Sequence, residues 1–459
     1  MGRYPMSLTR QFATYAMNAA DFTDAAITSA KTYLLDSLGV GIAGSRAPFR
    51  DGVHAVVSRW GAGEGARVLG TGEGLPQGSA AYLNGFQIHS MEYDCVHEAA
   101  VVHPMATVLA AVSSEAMRSG CSGRELLEAL AVAVDAACEL GVAVETPLKF
   151  FRPATAGVFG ATLGVARLRG LSEDVAVSAL GNALAQCAGT MQAHVEGRPT
   201  LPVQIAGAAR AAVVACDLAE AGLHGPEAAL EGPFGYLSLF EDAVGEVSIG
   251  DVHRIMEVSW KPFPTGRAAQ GGIVLVQELR DKGVTEGNLD ALELSAPPII
   301  PRLVAREAHA GMSPNYARLC FPYLAGVTLR FGTVGLAHYT RELLDDAGLQ
   351  ALARKVRVVD DGSTDPAAFT PQVATARLTD GSVVEARTDE LFGTPANPLS
   401  RAQHLAKFRG CLSFGWPQLS EGKVEALAES LIAEVEALEG AASTERLWEL
   451  ASGRIGGIT

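Results

Sequence analysis

The segment Asn84-Gly-Phe-Gln-Ile-His89-Ser-Met-Glu92-Tyr-Asp94-Cys95-Val-His97-Glu98, followed by His103-Pro104, packs acids and imidazoles closely together. It holds three of the ten histidines in the chain, interleaved with three carboxylates. A carboxylate beside a histidine holds one tautomer and raises its basicity, which is what proton transfer requires. The bland alternative is a solvated charged loop with a helix-capping histidine. Histidine and carboxylate could also bind a metal, but the spacing matches no H-E-x-x-H pattern. After His97-Glu98 the second histidine would stand at position 101, which is Val101. No metal is therefore expected.

A second chemical feature is Ser259-Trp-Lys261-Pro-Phe-Pro-Thr-Gly266-Arg267. A lysine set between a tryptophan and a proline-rich turn, at a join between domains, lies where pockets form. Partly desolvated there, it could act as a base or bind a carboxylate. Lys149-Phe-Phe-Arg152-Pro and Glu196-Gly-Arg198-Pro place further cations next to helix starts, where arginine forks suit carboxylates. The glycine runs Gly61-x-Gly63-x-Gly65 and Gly70-x-Gly72-x-Gly74 lack the spacing of a dinucleotide fingerprint, and no G-x-S-x-G or P-loop lysine is present. Cys95 sits among carboxylates that raise a thiol pKa, so it is a poor nucleophile.

The elements that must position these groups are mostly helices. Asp24–Ala43, Leu75–Ser90, Pro104–Arg118, Ala154–Leu168, Ser172–Cys187 and Val203–Ala221 all read as helices, with Gly44, Gly170, Gly189 and Gly222 as punctuation. Ser122, with Glu125 three residues on, predicts a capping box that opens a central buried helix. From about residue 270 the character changes. Asp290–Ile300 and Lys355–Val359 read as strands, and Gln372–Thr388 as a hairpin around Asp380-Gly381 with a type I′ turn. Helical spacing returns after Ser400, as in Lys423–Leu438. The expected fold class is mainly α: a large all-helical domain (1–268 plus 396–459) into which a smaller α+β lid domain (269–395) is inserted.

Composition removes several function classes. The 459-residue chain has a formal net charge of −15, which argues against nucleic-acid binding. Charged residues interrupt its most apolar stretches, so no membrane span is expected. The odd number of cysteines, seven, contains no C-x-x-C pair and suggests reduced thiols in the cytoplasm.

Together these residues resemble the MmgE/PrpD family of 2-methylcitrate dehydratases, cis-aconitate decarboxylases and iminodisuccinate epimerases. The similarity runs from Leu34-Leu-Asp-Ser-Leu-Gly-Val to Lys407-Phe408. It is carried by Asn84-Gly to Asp94 with His103-Pro104, Gly157-Val-Phe-Gly160-Ala, Glu231-Gly-Pro-Phe-Gly235, Trp260-Lys261-Pro-Phe-Pro and Asn397-Pro-Leu-Ser. The resemblance implies a helical domain with an α+β lid, a pocket between them, a homodimer, and no required cofactor. The family's acid-rich stretch stands here as His89-Ser-Met-Glu92-Tyr-Asp94-Cys95, and its hinge lysine as Lys261. Other family positions are replaced: Arg152 for a histidine, Leu201 for a lysine, Gln204 for a histidine or asparagine, and Gln270 for a histidine. A substrate with fewer carboxylates, or a bulkier and less charged one, would suit such a pocket.

The expected activity is a proton-transfer lyase, of dehydratase or decarboxylase type, acting on a small carboxylate. Epimerase and non-catalytic member are the alternatives. His103 would be the acid/base, oriented by Asp94 or Glu92, with Lys261 opposed to it. Arg152, Arg267, His97, His89, Gln204 and Gln270 complete the expected substrate contacts.

Overall fold

A computed structural model describes residues 6–145, 148–365 and 368–453. The chain is mainly α, and its helices start where the local chemistry requires. Thr23 caps the helix Asp24–Gly44, Ser172 caps Glu173–Leu184, and Ser122 with Glu125 forms the predicted capping box on Gly123–Val142. Pro104 opens Pro104–Ser119 at a position where its missing N–H costs nothing. The expected helix from Ala154 is two pieces, Arg152–Thr155 and Gly157–Leu168.

Small residues let these helices cross closely. A Cβ on Gly160 would lie 2.2 Å from the Ala133 carbonyl oxygen and 2.7 Å from the Ala137 Cβ, so Gly157–Leu168 can pack on Gly123–Val142 only with glycine there. Gly44 serves the same purpose. It is the last helical residue and meets the Gln87 carbonyl, where a Cβ would lie at 2.0 Å, so close approach explains it better than a stop signal does.

Buried apolar residues form two large clusters. One takes Phe12 to Val258 and Phe408 to Ala451, and the other takes Phe263 to Ala386. The chain passes from the first to the second between Val258 and Phe263, a stretch that contains Lys261. The second cluster carries a four-stranded sheet in the order Val356–Asp360, Leu289–Ala296, Gln372–Leu378, Val383–Thr388. Its first pair is parallel and the others antiparallel. The predicted hairpin forms, but not with a type I′ turn. Of the turn residues only Gly381 has positive φ, at 88°, and the Leu378 N–H bonds to the Ser382 carbonyl at 2.8 Å across a three-residue loop. The aspartate is used differently, since its carboxylate accepts from the Ser382 N–H at 2.9 Å.

Among the described residues, one helix, Leu201–Glu220, is long and apolar enough to cross a membrane, against expectation; 61% of its most apolar window is buried inside the fold. It packs on Gln77–Ser90, Gly157–Leu168 and Glu173–Leu184. All seven cysteines are unpaired.

Replacing Gly160 by alanine should force the two central helices apart and cost about 1–3 kcal/mol, the usual range for overpacking. Thermal denaturation would show this as a lowered midpoint, and an unchanged midpoint would mean the helices can separate freely.

Candidate active site

The acid-rich segment begins in the last turn of the helix Gln77–Ser90 and ends at His103, the residue before the next helix. Backbone strain marks the loop between them. Glu92 has φ 50° and Val101 φ 52°, the left-handed region that side chains, above all β-branched ones, avoid. Such strain persists only where surrounding contacts over-determine it. Lys407 supplies one of these contacts: its ammonium lies 2.8 Å from buried Asp36 and donates to the Tyr93 carbonyl at 2.9 Å. Lys261 supplies another, donating to the Glu92 carboxylate at 3.1 Å and to its carbonyl at 3.3 Å.

Asp94, with no solvent exposure, is the centre of the group. Its Oδ2 bonds His89 Nδ1 at 2.9 Å and lies 3.3 Å from His103 Nδ1, while its Oδ1 is 3.8 Å from Lys261 Nζ. The two imidazoles meet edge-on, with ring centroids 5.1 Å apart. Burial opposes charge on every member, and the pairings decide the outcome. Burial would raise Asp94, but the histidines and Lys261 hold it well below the usual carboxylate range. Glu92 behaves likewise, drawn down against burial by Lys261 and His89 to about 2. Burial would lower His89, yet Asp94 and Glu92 raise it above its ordinary value. For His103, burial and Lys261 prevail over Asp94, so it falls below the ordinary value. One imidazole thus favours the cation and its neighbour the neutral form. An ionised Asp94 can only accept, so neutral His103 carries its proton on Nδ1 and presents a basic Nε2.

His89, Glu92 and His103 line a cleft with about 670 Å³ of empty space, partly open to solvent. Glu98, His194 and Arg267 add polar groups, while Phe151, Met191, Leu201, Leu303, Leu319 and Phe369 help to make it largely apolar.

The predicted residues divide into those that meet and those that do not. His89, Glu92, Asp94, His103 and Lys261 converge, but Lys261 does not oppose His103. Both lie against Asp94, and Lys261, fully buried, stands behind the carboxylates rather than across the cleft. Arg267 reaches the cleft already engaged by Glu98 at 2.7 Å. His97 is structural: its Nδ1 accepts from the Ala100 N–H at 3.2 Å and its Nε2 faces Glu257 at 3.0 Å. Arg152 is buried against Glu241 at 3.0 Å. Gln204 binds the Thr190 backbone and lines a different cavity. Gln270 donates to the Phe263 and Thr265 carbonyls and so shapes the Lys261 turn. These three sit in the right segments, but nearer partners take their polar groups.

Sequence reasoning missed His194, Arg306 and Arg318. Arg318 is 1% exposed, with its guanidinium 4.3 Å over the Tyr339 ring and one nitrogen 3.2 Å from Met91 Sδ. His194 stands two residues before the Glu196-Gly-Arg198 signal, and only its polarity within an otherwise ordinary turn could have singled it out. His89, Asp94 and His103 are also close enough to ligate a metal, with candidate ligand atoms within 4.8 Å of one another. Against that, His89 Nδ1 is hydrogen-bonded to one oxygen of Asp94, His103 Nδ1 lies 3.3 Å from the same oxygen and Lys261 flanks the other, so the carboxylate already has cationic and imidazole neighbours. Cys95 is fully buried, and burial with Asp36 and Asp94 pushes its thiol well up, as expected of an inert thiol.

Asp94→Asn removes the main charge that raises His89. The His89 ring, followed by NMR through a pH titration, should then titrate at lower pH than in the parent. An unmoved titration would mean that Asp94 does not set the charge of the pair.

The chain is similar to known proteins over most of its length. The MmgE/PrpD N-terminal domain matches residues 10–245 and the MmgE/PrpD C-terminal domain residues 263–432. The cis-aconitate decarboxylase of Mus musculus is 26% identical over 459 residues, covering 94% of this chain and 91% of its own. That of Homo sapiens is 26% identical, with 94% and 92% covered. A cis-aconitate decarboxylase-like protein, oryM, of Aspergillus oryzae is 25% identical, with 80% and 83% covered. With both domains matched in order along almost the whole chain, the protein belongs to the MmgE/PrpD family.

Proposed function

We propose that the chain is a lyase that removes CO₂ from a small carboxylate substrate through its own acid–base groups. The observation that carries this reading is the placing of two imidazoles on one oxygen of Asp94, at 2.9 and 3.3 Å, with His89 drawn above its ordinary pKa and His103 pushed below it. The names of its relatives point to carboxy-lyase chemistry. In decarboxylation the C–C bond breaks, CO₂ leaves, and the electron pair left on carbon must be stabilised and protonated. His89 can donate that proton and Asp94 holds the ring in place.

A hydro-lyase is the second reading, favoured by the same pair. His103 Nε2 would take the α-proton while His89 protonates the departing hydroxyl. In both readings the residues around the second apolar cluster act as a lid, supported by Leu303 and Phe369, which pack against that cluster and line the same cleft as Phe151 and Met191. Excluding water strengthens every electrostatic contact inside.

Incubating candidate carboxylates in deuterated water and following them by proton NMR would separate the readings. Loss of CO₂ with deuterium gained at carbon supports the carboxy-lyase, and loss of water the hydro-lyase. Proton exchange alone would instead point to an epimerase. His103→Ala should lower kcat by about 10²–10⁴-fold, the usual contribution of a general acid or base. Full activity in that variant would remove His103 from the chemistry.

The pH profile of a hydro-lyase has a definite sign. His103 must be deprotonated, and its lowered pKa places the acid limb of kcat/KM below pH 6.5. His89 must keep its proton, and its raised pKa places the alkaline limb above pH 6.5. A profile with both limbs on one side of that value contradicts the assignment.

A further inference from the structure

The charges that line the cleft are already matched, and the match leaves no cation for a second substrate carboxylate. Glu92 and Glu98 put two carboxylates into its wall, and Arg267 is the one arginine or lysine among the lining residues. Arg267 is spent on Glu98 at 2.7 Å and on the Phe392 carbonyl at 2.9 Å. Lys261 lies behind the wall on Glu92, with no solvent exposure. His194 adds no charge. An Arg306 nitrogen lies 3.3 Å from its Nδ1, and a guanidinium has no acceptor, so Nδ1 accepts and the imidazole proton sits on Nε2. Burial and Arg306 push this histidine down to about 4. Arg306 itself stands outside the cleft, in a smaller side cavity that it shares with ionised Glu92, and it donates to the His194 carbonyl at 2.6 Å. His89 is the remaining positive group of the lining. Its Nδ1 bonds Asp94, and its Nε2 is buried with no hydrogen-bond partner among the described residues, which leaves one donor for one carboxylate.

The rest of the wall is hydrocarbon. Phe151, Leu201 and Leu319 are buried, while Met191, Leu303 and Phe369 keep part of their surface in solvent. The Phe151 ring centroid is 5.7 Å from that of His89, so the apolar surface begins beside the reacting end. A carboxylate laid on this surface would lose its water, gain no partner and face Glu92 and Glu98. A hydrocarbon group laid on it would cover the half-exposed side chains at no such cost.

We infer that the substrate carries a single carboxylate, held at His89, and an apolar chain or ring that lies on Phe151, Met191, Leu201 and Leu319, which makes these four side chains the specificity determinants of the cleft. The inference rests on the lyase reading for the reacting end and deepens it by naming the substrate class, a monocarboxylate with a hydrocarbon body.

Isothermal titration calorimetry on the full chain with butyrate, hexanoate and adipate tests the idea, since hexanoate and adipate differ only in a terminal methyl against a carboxylate. Affinity should rise about three- to fourfold per methylene from butyrate to hexanoate, the usual effect of burying that group. Hexanoate should bind about tenfold or more tightly than adipate, whose second carboxylate finds no partner. Leu201→Lys, which puts a cation into the apolar wall, should shrink or reverse that gap. Leu319→Ala should weaken hexanoate by about three- to tenfold and butyrate by less than about twofold. Adipate bound as tightly as hexanoate by the parent, affinity that ignores chain length, or no binding of any monocarboxylate would each overturn the inference. So would a hexanoate-to-adipate ratio unmoved in both variants. Circular dichroism checks that each variant is folded, and the parent series decides without them. Because binding is read without turnover, a chain that prefers hexanoate but yields no product from any carboxylate would sink the lyase and spare the apolar subsite. A working lyase that turns over polycarboxylates and binds hexanoate no better than adipate would do the reverse.

Discussion

One buried carboxylate, Asp94, organises everything around it. An ionised carboxylate without solvent exposure costs several kcal/mol unless it is paired and hydrogen-bonded. Asp94 meets that cost with two imidazoles on one oxygen and an ammonium near the other. The same pairing divides the histidines by charge. His89, bonded at 2.9 Å, is drawn towards the cation, while His103, less closely held and nearer in effect to Lys261, stays neutral. The loop that presents Asp94 is strained at Glu92, and Lys261 and Lys407 hold it from two other parts of the chain. Fold and site therefore share their anchors, and loosening the loop would also undo the charge pattern.

The cleft is unevenly furnished. At its reactive end each cation already has a carboxylate: Lys261 has Glu92, Arg267 has Glu98, His89 has Asp94. These groups are preorganised and have little attraction left for additional negative charge. Most of the remaining wall is apolar. Among the described residues lining the two cavities, Arg306 is the guanidinium without a carboxylate in ion-pair reach, and it donates to the His194 carbonyl instead. Leu201 in place of a lysine fits the same distribution.

Local signals in the chain were read well and distant pairings poorly. The capping box at Ser122, the helix opened by Pro104 and the hairpin at Asp380-Gly381 all follow from residues a few positions apart. The turn type at Gly381 was missed because the positive φ needed at the preceding residue is absent. Arg152 was expected at the site from its place beside a helix start, and Gln204 and Gln270 from resemblance, but Glu241, the Thr190 backbone and the Phe263 carbonyl engage their polar groups.

The sequence by itself determined the family, the mainly helical character, and the segment in which acids and histidines are crowded, because those depend on residue type and short-range spacing. Tertiary structure alone decided which of those groups pair. Lys261 and Glu92 lie 169 positions apart, and only chain closure shows that the lysine stands behind the carboxylates instead of across from His103. His194 and Arg306, 112 positions apart, carry no motif at all. Their bond and the tautomer it sets exist only once the two apolar clusters have come together, since a hydrogen bond between distant residues has no counterpart in local sequence.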